Sequence, residues 1–106
     1  MSTPSMVAKV LKAVNDGNTQ AFLELFAESG QVNDWGSVYR GRREIEVWSD
    51  RELIGVNAHF VLTSSEGDSE HAMMQVNVGG DGFNGPSQFT FDIRNGLIQV
   101  MRITGE

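Results

Sequence analysis

Asp34 stands next to Trp35 and close to Tyr39 in the stretch GQVNDWGSVYRGRREI, and it is the chain's best candidate for chemistry. A carboxylate held against apolar side chains can serve as a general base, because a positioned acid can carry a proton to and from a reacting carbon. The competing use is an acid paired with Arg40 or Arg42 that holds the loop and does no chemistry. His59 and His71 are the only histidines, and no helical spacing brings them together as a metal pair. Both fall out of phase with the large apolar residues around them, so they read as polar-face residues, with a pH-sensitive subunit contact as the sharper use. The absence of cysteine excludes thiolate nucleophiles, cysteine-type zinc sites and iron–sulfur clusters. Gly80, Gly82 and Gly85 match G-x-G-x-x-G, but the run leads into Pro86 and a strand pattern instead of a helix that could hold a pyrophosphate. It reads as a hairpin loop. No G-x-S-x-G elbow supports a serine triad. Neither a metal nor an organic cofactor is expected.

The residues around these candidates fit one domain, 1–106, with an ordinary globular balance of 40% apolar and 21% charged residues. A net charge of −6 argues against a nucleic-acid partner, since phosphate binding rests on clustered Lys and Arg. The one basic cluster, Arg40, Arg42 and Arg43, reads as a solvated helix start, with an anion site as the alternative. No apolar run reaches the ~20 residues of a membrane span, and the first residues lack a leader's pattern. No membrane partner is therefore expected, the mature chain is expected to begin where the sequence does, and the cytoplasm is the simplest compartment.

Three helices must come first. TPSMVAKVLKAVNDG places Val7, Val10, Leu11 and Val14 on one stripe, with Thr3 as expected N-cap, Pro4 in the first turn and Gly17 as stop. Asn18 caps a second helix over TQAFLELFAE, which Gly30 is expected to end. Short strands around Gln31–Trp35 and Val38–Arg40 lead to Gly41 and a third helix, RREIEVWSDREL. From Ala58 the period changes to 2, giving four strands: HFVLTSS, EHAMMQVNV, SQFTFDIR and LIQVMRIT. EGDS and RNG suit hairpins, the second with Asn95-Gly96 in left-handed backbone. The inward set of the last strand reads as Leu97, Gln99, Met101 and Ile103. Ile98 and Val100 then fall on the other face, which predicts a homodimer through the sheet. Helices followed by a meander predict an α+β domain.

The segment VNDGNTQAFLELFAESGQVNDWGSVYRGRREIEVW resembles the N-terminal half of the nuclear transport factor 2-like superfamily, which includes ketosteroid isomerases and SnoaL-like cyclases. The likeness rests on Asn15, Gly17, Leu25-Phe26-Ala27, Asp34 and Gly41, and the ending FTFDIRNGLIQVMRIT is similar to that family's last hairpin. The resemblance implies a cone of three N-terminal helices on a curved, mostly antiparallel sheet around a pocket for a small apolar compound bearing a ring or carbonyl. It places Asp34 as the proton-abstracting base. The pocket walls would come from Val10, Val14, Trp35, Tyr39, Val47, Trp48, Phe60, Met74, Phe89, Phe91 and Met101. The family's oxyanion tyrosine corresponds to Val10, and its neutral aspartic acid falls near Ser87 or Gln88, so the reaction implied is a general proton abstraction (isomerisation, cyclisation or dehydration). Ser87, Gln88, Gln99 and Tyr39 are the candidate donors. The other reading is a non-catalytic association module whose large side chains fill the cavity.

Overall fold

The computed structural model describes residues 3–105. Among them the order is α1 (Ser5–Asn15), α2 (Thr19–Glu24), β1 (Phe26–Asp34), β2 (Ser37–Arg40), α3 (Gly41–Glu52), a 3-10 turn (Ile54–Val56), β3 (His59–Gly67), β4 (His71–Gly79), β5 (Gly85–Arg94) and β6 (Leu97–Thr104). The protein is α+β. Six strands form one sheet in the order β2-β1-β6-β5-β4-β3, antiparallel throughout except for the parallel pair β1 and β6.

Each helix forms where local signals and an apolar stripe agree. In α1 the stripe is Met6, Val7, Val10, Ala13 and Val14, all buried. Its N-cap is Pro4 and not Thr3: the Pro4 carbonyl accepts from Ala8 N at 3.1 Å, and no side chain caps the end. The helix closes as a Schellman turn, with Gly17 at φ +66 and Asn18 N donating to the Ala13 carbonyl. Asn18 then caps α2 as expected, accepting from Ala21 N at 3.0 Å. At the start of α3 the Arg40 N–H donates to Glu44 Oε1 at 2.8 Å, an acid in the first turn reaching back to the N-cap, and Arg42 ties this start to β1 by donating twice to the Phe26 carbonyl, at 2.7 and 3.2 Å.

The second helix is shorter than its periodicity predicts. Phe22, Leu25 and Phe26 have helical spacing, yet the chain leaves the helix at Leu25, and Phe26 opens β1 with its ring 5.2 Å from that of Phe22. Gly30 lies inside β1, where a Cβ would come within 2.8 Å of the Ile98 carbonyl. It permits the close approach of β6 and stops no helix.

The buried sheet face carries Val32, Phe60, Ala72, Met74, Val76, Phe89, Phe91, Ile93, Ile98, Met101 and Ile103, which join the helix stripes in one core. Ile98 is fully buried, which corrects its placement on the outer face. A bulge explains the change: Asp92 pairs with Val100 and Ile93 with Ile98, so Gln99 is the extra residue and the alternation shifts by one. The outer face is left to Val61, Met73 and Val100 among Gln75, Gln88, Thr90, Asp92 and Arg102. No helix among the described residues is long and apolar enough to cross a membrane.

Candidate functional site

A cavity of about 190 Å³ opens at one end of the sheet, beside the C-terminal half of α3. Asp34 reaches it from the end of β1, Trp35 from the turn that follows, and Trp48, Glu52 and Leu53 from α3. Phe60, Val78, Ser87, Phe89 and Ile103 form the sheet wall, and Phe83 arrives from the β4–β5 loop. Trp35 is 70% exposed and Phe83 59% exposed, so these two rings stand at the rim.

The backbone explains how Asp34 is delivered. β1 and β2 turn at Trp35 (φ +55) and Gly36 (φ +95), two left-handed residues as a tight primed hairpin requires. Asn33 Oδ1 accepts from Gly36 N at 2.8 Å and Trp35 N donates to the Ile103 carbonyl at 3.3 Å, fixing the turn beside the end of β6. The half-buried Asp34 then accepts from Trp48 Nε1 at 3.1 Å. The competing use, a pairing with Arg40 or Arg42, does not form: no cation among the described residues lies within ion-pair distance of Asp34, and the Arg42 guanidinium is spent on the Phe26 carbonyl.

Of the residues that the sequence proposes for a pocket, the cavity gathers Asp34, Trp35, Trp48, Phe60 and Phe89. Val10, Val14, Met74, Phe91 and Met101 are at most 2% exposed and lie in the packed core outside the lining. Tyr39 sits behind Trp48, its ring centroid 6.2 Å away and its hydroxyl accepting from Arg51 at 3.0 Å. Val47 is exposed on the far side of α3, because a helix advances about 100° per residue and the turn that buries Trp48 points Val47 outward. Among the candidate donors only Ser87 faces the cavity. Gln88 accepts from Gln75 on the outer face, and Gln99 donates to the Leu97 carbonyl.

Glu52, Leu53, Val78, Phe83 and Ile103 complete the lining unannounced. Val78 and Ile103 carried a strand alternation that could have marked them, whereas Phe83 lies in a glycine-rich loop whose path no local pattern gives. Among the described residues no three His, Cys, Asp or Glu side chains gather as a metal site. The G-x-G-x-x-G run forms the β4–β5 loop, where Asn84 donates to the carbonyls of Gly80 and Gly82.

Solved structures share this architecture. A protein of ketosteroid isomerase-like fold from Catenulispora acidiphila, in complex with trimethylamine, superposes with a TM-score of 0.82 at 24% identity, over 97% of this chain and 86% of that one. The chain has the nuclear transport factor 2-like fold. A candidate polyketide cyclase from Sinorhizobium meliloti gives 0.79 at 24% identity over 95% and 94% of the two chains. A Mycobacterium tuberculosis protein in complex with estradiol-17beta-hemisuccinate gives 0.80 at 15% identity over 99% and 95%. No family model matches the sequence, and no curated protein matches it.

Proposed function

We propose that this protein binds a small apolar compound bearing a ring or carbonyl in the cavity, and that Asp34 abstracts a proton from it, in the manner of isomerases and cyclases built on the same fold. The observation that carries this reading is Asp34 on the wall of an open, largely aromatic cavity, oriented by Trp48 and unpaired with any cation among the described residues. In the step, the C–H bond beside the carbonyl breaks, its proton passes to the Asp34 carboxylate, and the electron pair moves to the carbonyl oxygen. Ser87, the lining's one hydroxyl, can donate to that oxygen. Return of the proton to a second carbon completes an isomerisation, with no metal or organic cofactor involved.

The size of the site bounds the substrate. About 190 Å³ exceeds the ~150 Å³ that encloses one benzene ring and falls short of the ~300–1,000 Å³ of drug-sized clefts. A one-ring compound or short chain fits, with a larger body projecting between Trp35 and Phe83. Exchange of the protons beside the carbonyl of cyclohexenone into deuterated water, followed by NMR, tests the reading. Asp34→Asn should slow the protein-catalysed exchange by ~100-fold to ~10,000-fold. Wild-type protein no faster than buffer would remove catalysis.

One observation favours the other reading, a non-catalytic association module: Val10, Val14, Met74, Phe91 and Met101 fill the interior that a deeper cone-shaped pocket would need. Either reading includes a homodimer through the outer sheet face, where Val61, Met73 and Val100 lie among polar side chains. Sedimentation velocity on wild type and Val100→Lys tests it, and a monomer in both would overturn it.

A further inference from the structure

We infer that the compound taken by this cavity carries a positively charged nitrogen: an alkylated ammonium on a small apolar body. The inference rests on the cavity being a ligand site and does not require catalysis.

The lining contributes five aromatic rings (Trp35, Trp48, Phe60, Phe83, Phe89) and two carboxylates, with no Lys, Arg or His among its residues. Ring faces are negative and attract a cation within about 6 Å, most strongly where water is excluded. Asp34 is the carboxylate left without an ion-pair partner. Glu52 has one, Arg51 at 3.2 Å, but Arg51 sits outside the lining with its guanidinium 5.7 Å from the Tyr39 ring. The donors available to an anionic guest are few: Ser87 supplies one hydroxyl, and the Trp48 indole N–H is already used by Asp34. An anion would meet two carboxylates and an aromatic wall that offers it almost no donors. An alkylammonium meets the reverse: its methyl or methylene shell suits the apolar wall, and its charge is balanced by Asp34 without a demand for hydrogen-bond donors. The chain's net charge of −6 adds a long-range attraction for cations. The volume admits a group of trimethylammonium size together with a short chain.

The test compares choline with its neutral isostere 3,3-dimethylbutan-1-ol, and both with cyclohexenone, by NMR titration of the indole N–H resonances of Trp35 and Trp48. The expected result is that choline binds about tenfold more tightly than the isostere, the scale of a desolvated cation–π contact. That preference should shrink with added salt and collapse in Asp34→Asn, while Glu52→Gln, whose carboxylate is already paired, should reduce it only about twofold. Equal binding of choline and the isostere would overturn the cation and leave the ligand site standing. A response to cyclohexenone alone would do the same. No response to any of the three would overturn both readings, and an unchanged preference in Asp34→Asn would overturn the assignment of the charge.

Discussion

The indole Nε1 of Trp48 donates to Oδ2 of Asp34 at 3.1 Å, joining the buried side of α3 to the last residue of β1. Trp48 is 1% exposed, so its ring cannot turn to another partner, and a buried indole N–H left without an acceptor would be costly. The bond therefore works in both directions. It satisfies the one polar atom of a core side chain, and it holds the carboxylate in a single orientation at the cavity wall.

Removing the donor tests that coupling. Trp48→Phe keeps most of the ring burial but deletes the N–H and leaves a small void, so unfolding in urea should show a loss of about 1–3 kcal/mol. In a double-mutant cycle with Asp34→Ala the two losses should fall short of additivity by about 0.5–2 kcal/mol. Strict additivity would mean that the bond orients nothing.

A second tie positions the opposite wall. Asn15, at the C-terminal end of α1, accepts from Phe60 N at 2.7 Å and donates to the Phe60 carbonyl at 3.0 Å. Its amide thus plays the part of a neighbouring strand for the edge strand β3, at the residue whose ring lines the cavity and packs 5.1 Å from Phe89. Asn15→Ala should cost about 1–2 kcal/mol in urea unfolding. It should also speed amide exchange at Phe60 more than at Met74, whose strand is paired on both sides.

The outer sheet face gives a prediction about pH. Arg102, donating to Asp92 at 2.9 Å, holds that carboxyl below the usual carboxylate range; partial burial opposes the effect and His71 adds to it. A folded-state pKa below the unfolded value contributes stability that is present above the unfolded value, near ~4, and lost as pH falls through the folded one. Arg102→Gln should therefore unfold at lower urea than wild type at pH 7, with the gap closing as the pH is taken below ~4. Because Asp92 is partly exposed, about 0.5 M salt should also narrow the gap. A gap that survives acid would assign the loss to packing of the Arg102 stem.

How far the sequence reveals this molecule depends on the range of the interactions that decide each part. The apolar stripe of α1, the Asn18 cap, the Asn95-Gly96 turn and the alternation of β3, β4 and β5 rest on local periodicity and turn chemistry, and they form as the pattern implies. The end of α2 does not. Phe22, Leu25 and Phe26 satisfy a helical spacing, but Phe26 pairs with Ile98 in a parallel ladder between segments far apart in the chain, and that contact outweighs the local signal. The bulge at Gln99 is hidden for the same reason: it reverses which of Ile98 and Gln99 points inward, and only the pairing of β5 with β6 reveals it. At the cavity, Asp34 could be picked out because a carboxylate between aromatic residues is unusual in any context. Its true partner could not, since Trp48 meets it only through the packing of α3 on β1.

Trp35 carries the last prediction. It occupies the first central position of the β1–β2 turn at φ +55, a conformation that a bulky side chain adopts at a cost of about 1 kcal/mol or more and that asparagine tolerates. Little burial compensates for this, because the residue is 70% exposed; its ring rests on Gly105, where a Cβ would come within 2.6 Å of it. A strained, exposed tryptophan at the rim is what a binding site would retain and what selection for stability alone would replace. Trp35→Asn should therefore raise the urea midpoint, by about 0.5–1 kcal/mol in stability, while weakening the binding of choline about threefold or more. Gain and loss must occur together in the one variant. A variant that is both more stable and equally good at binding would show that Trp35 has no part in holding the ligand, and a less stable variant would show that its contact with Gly105 supports the fold.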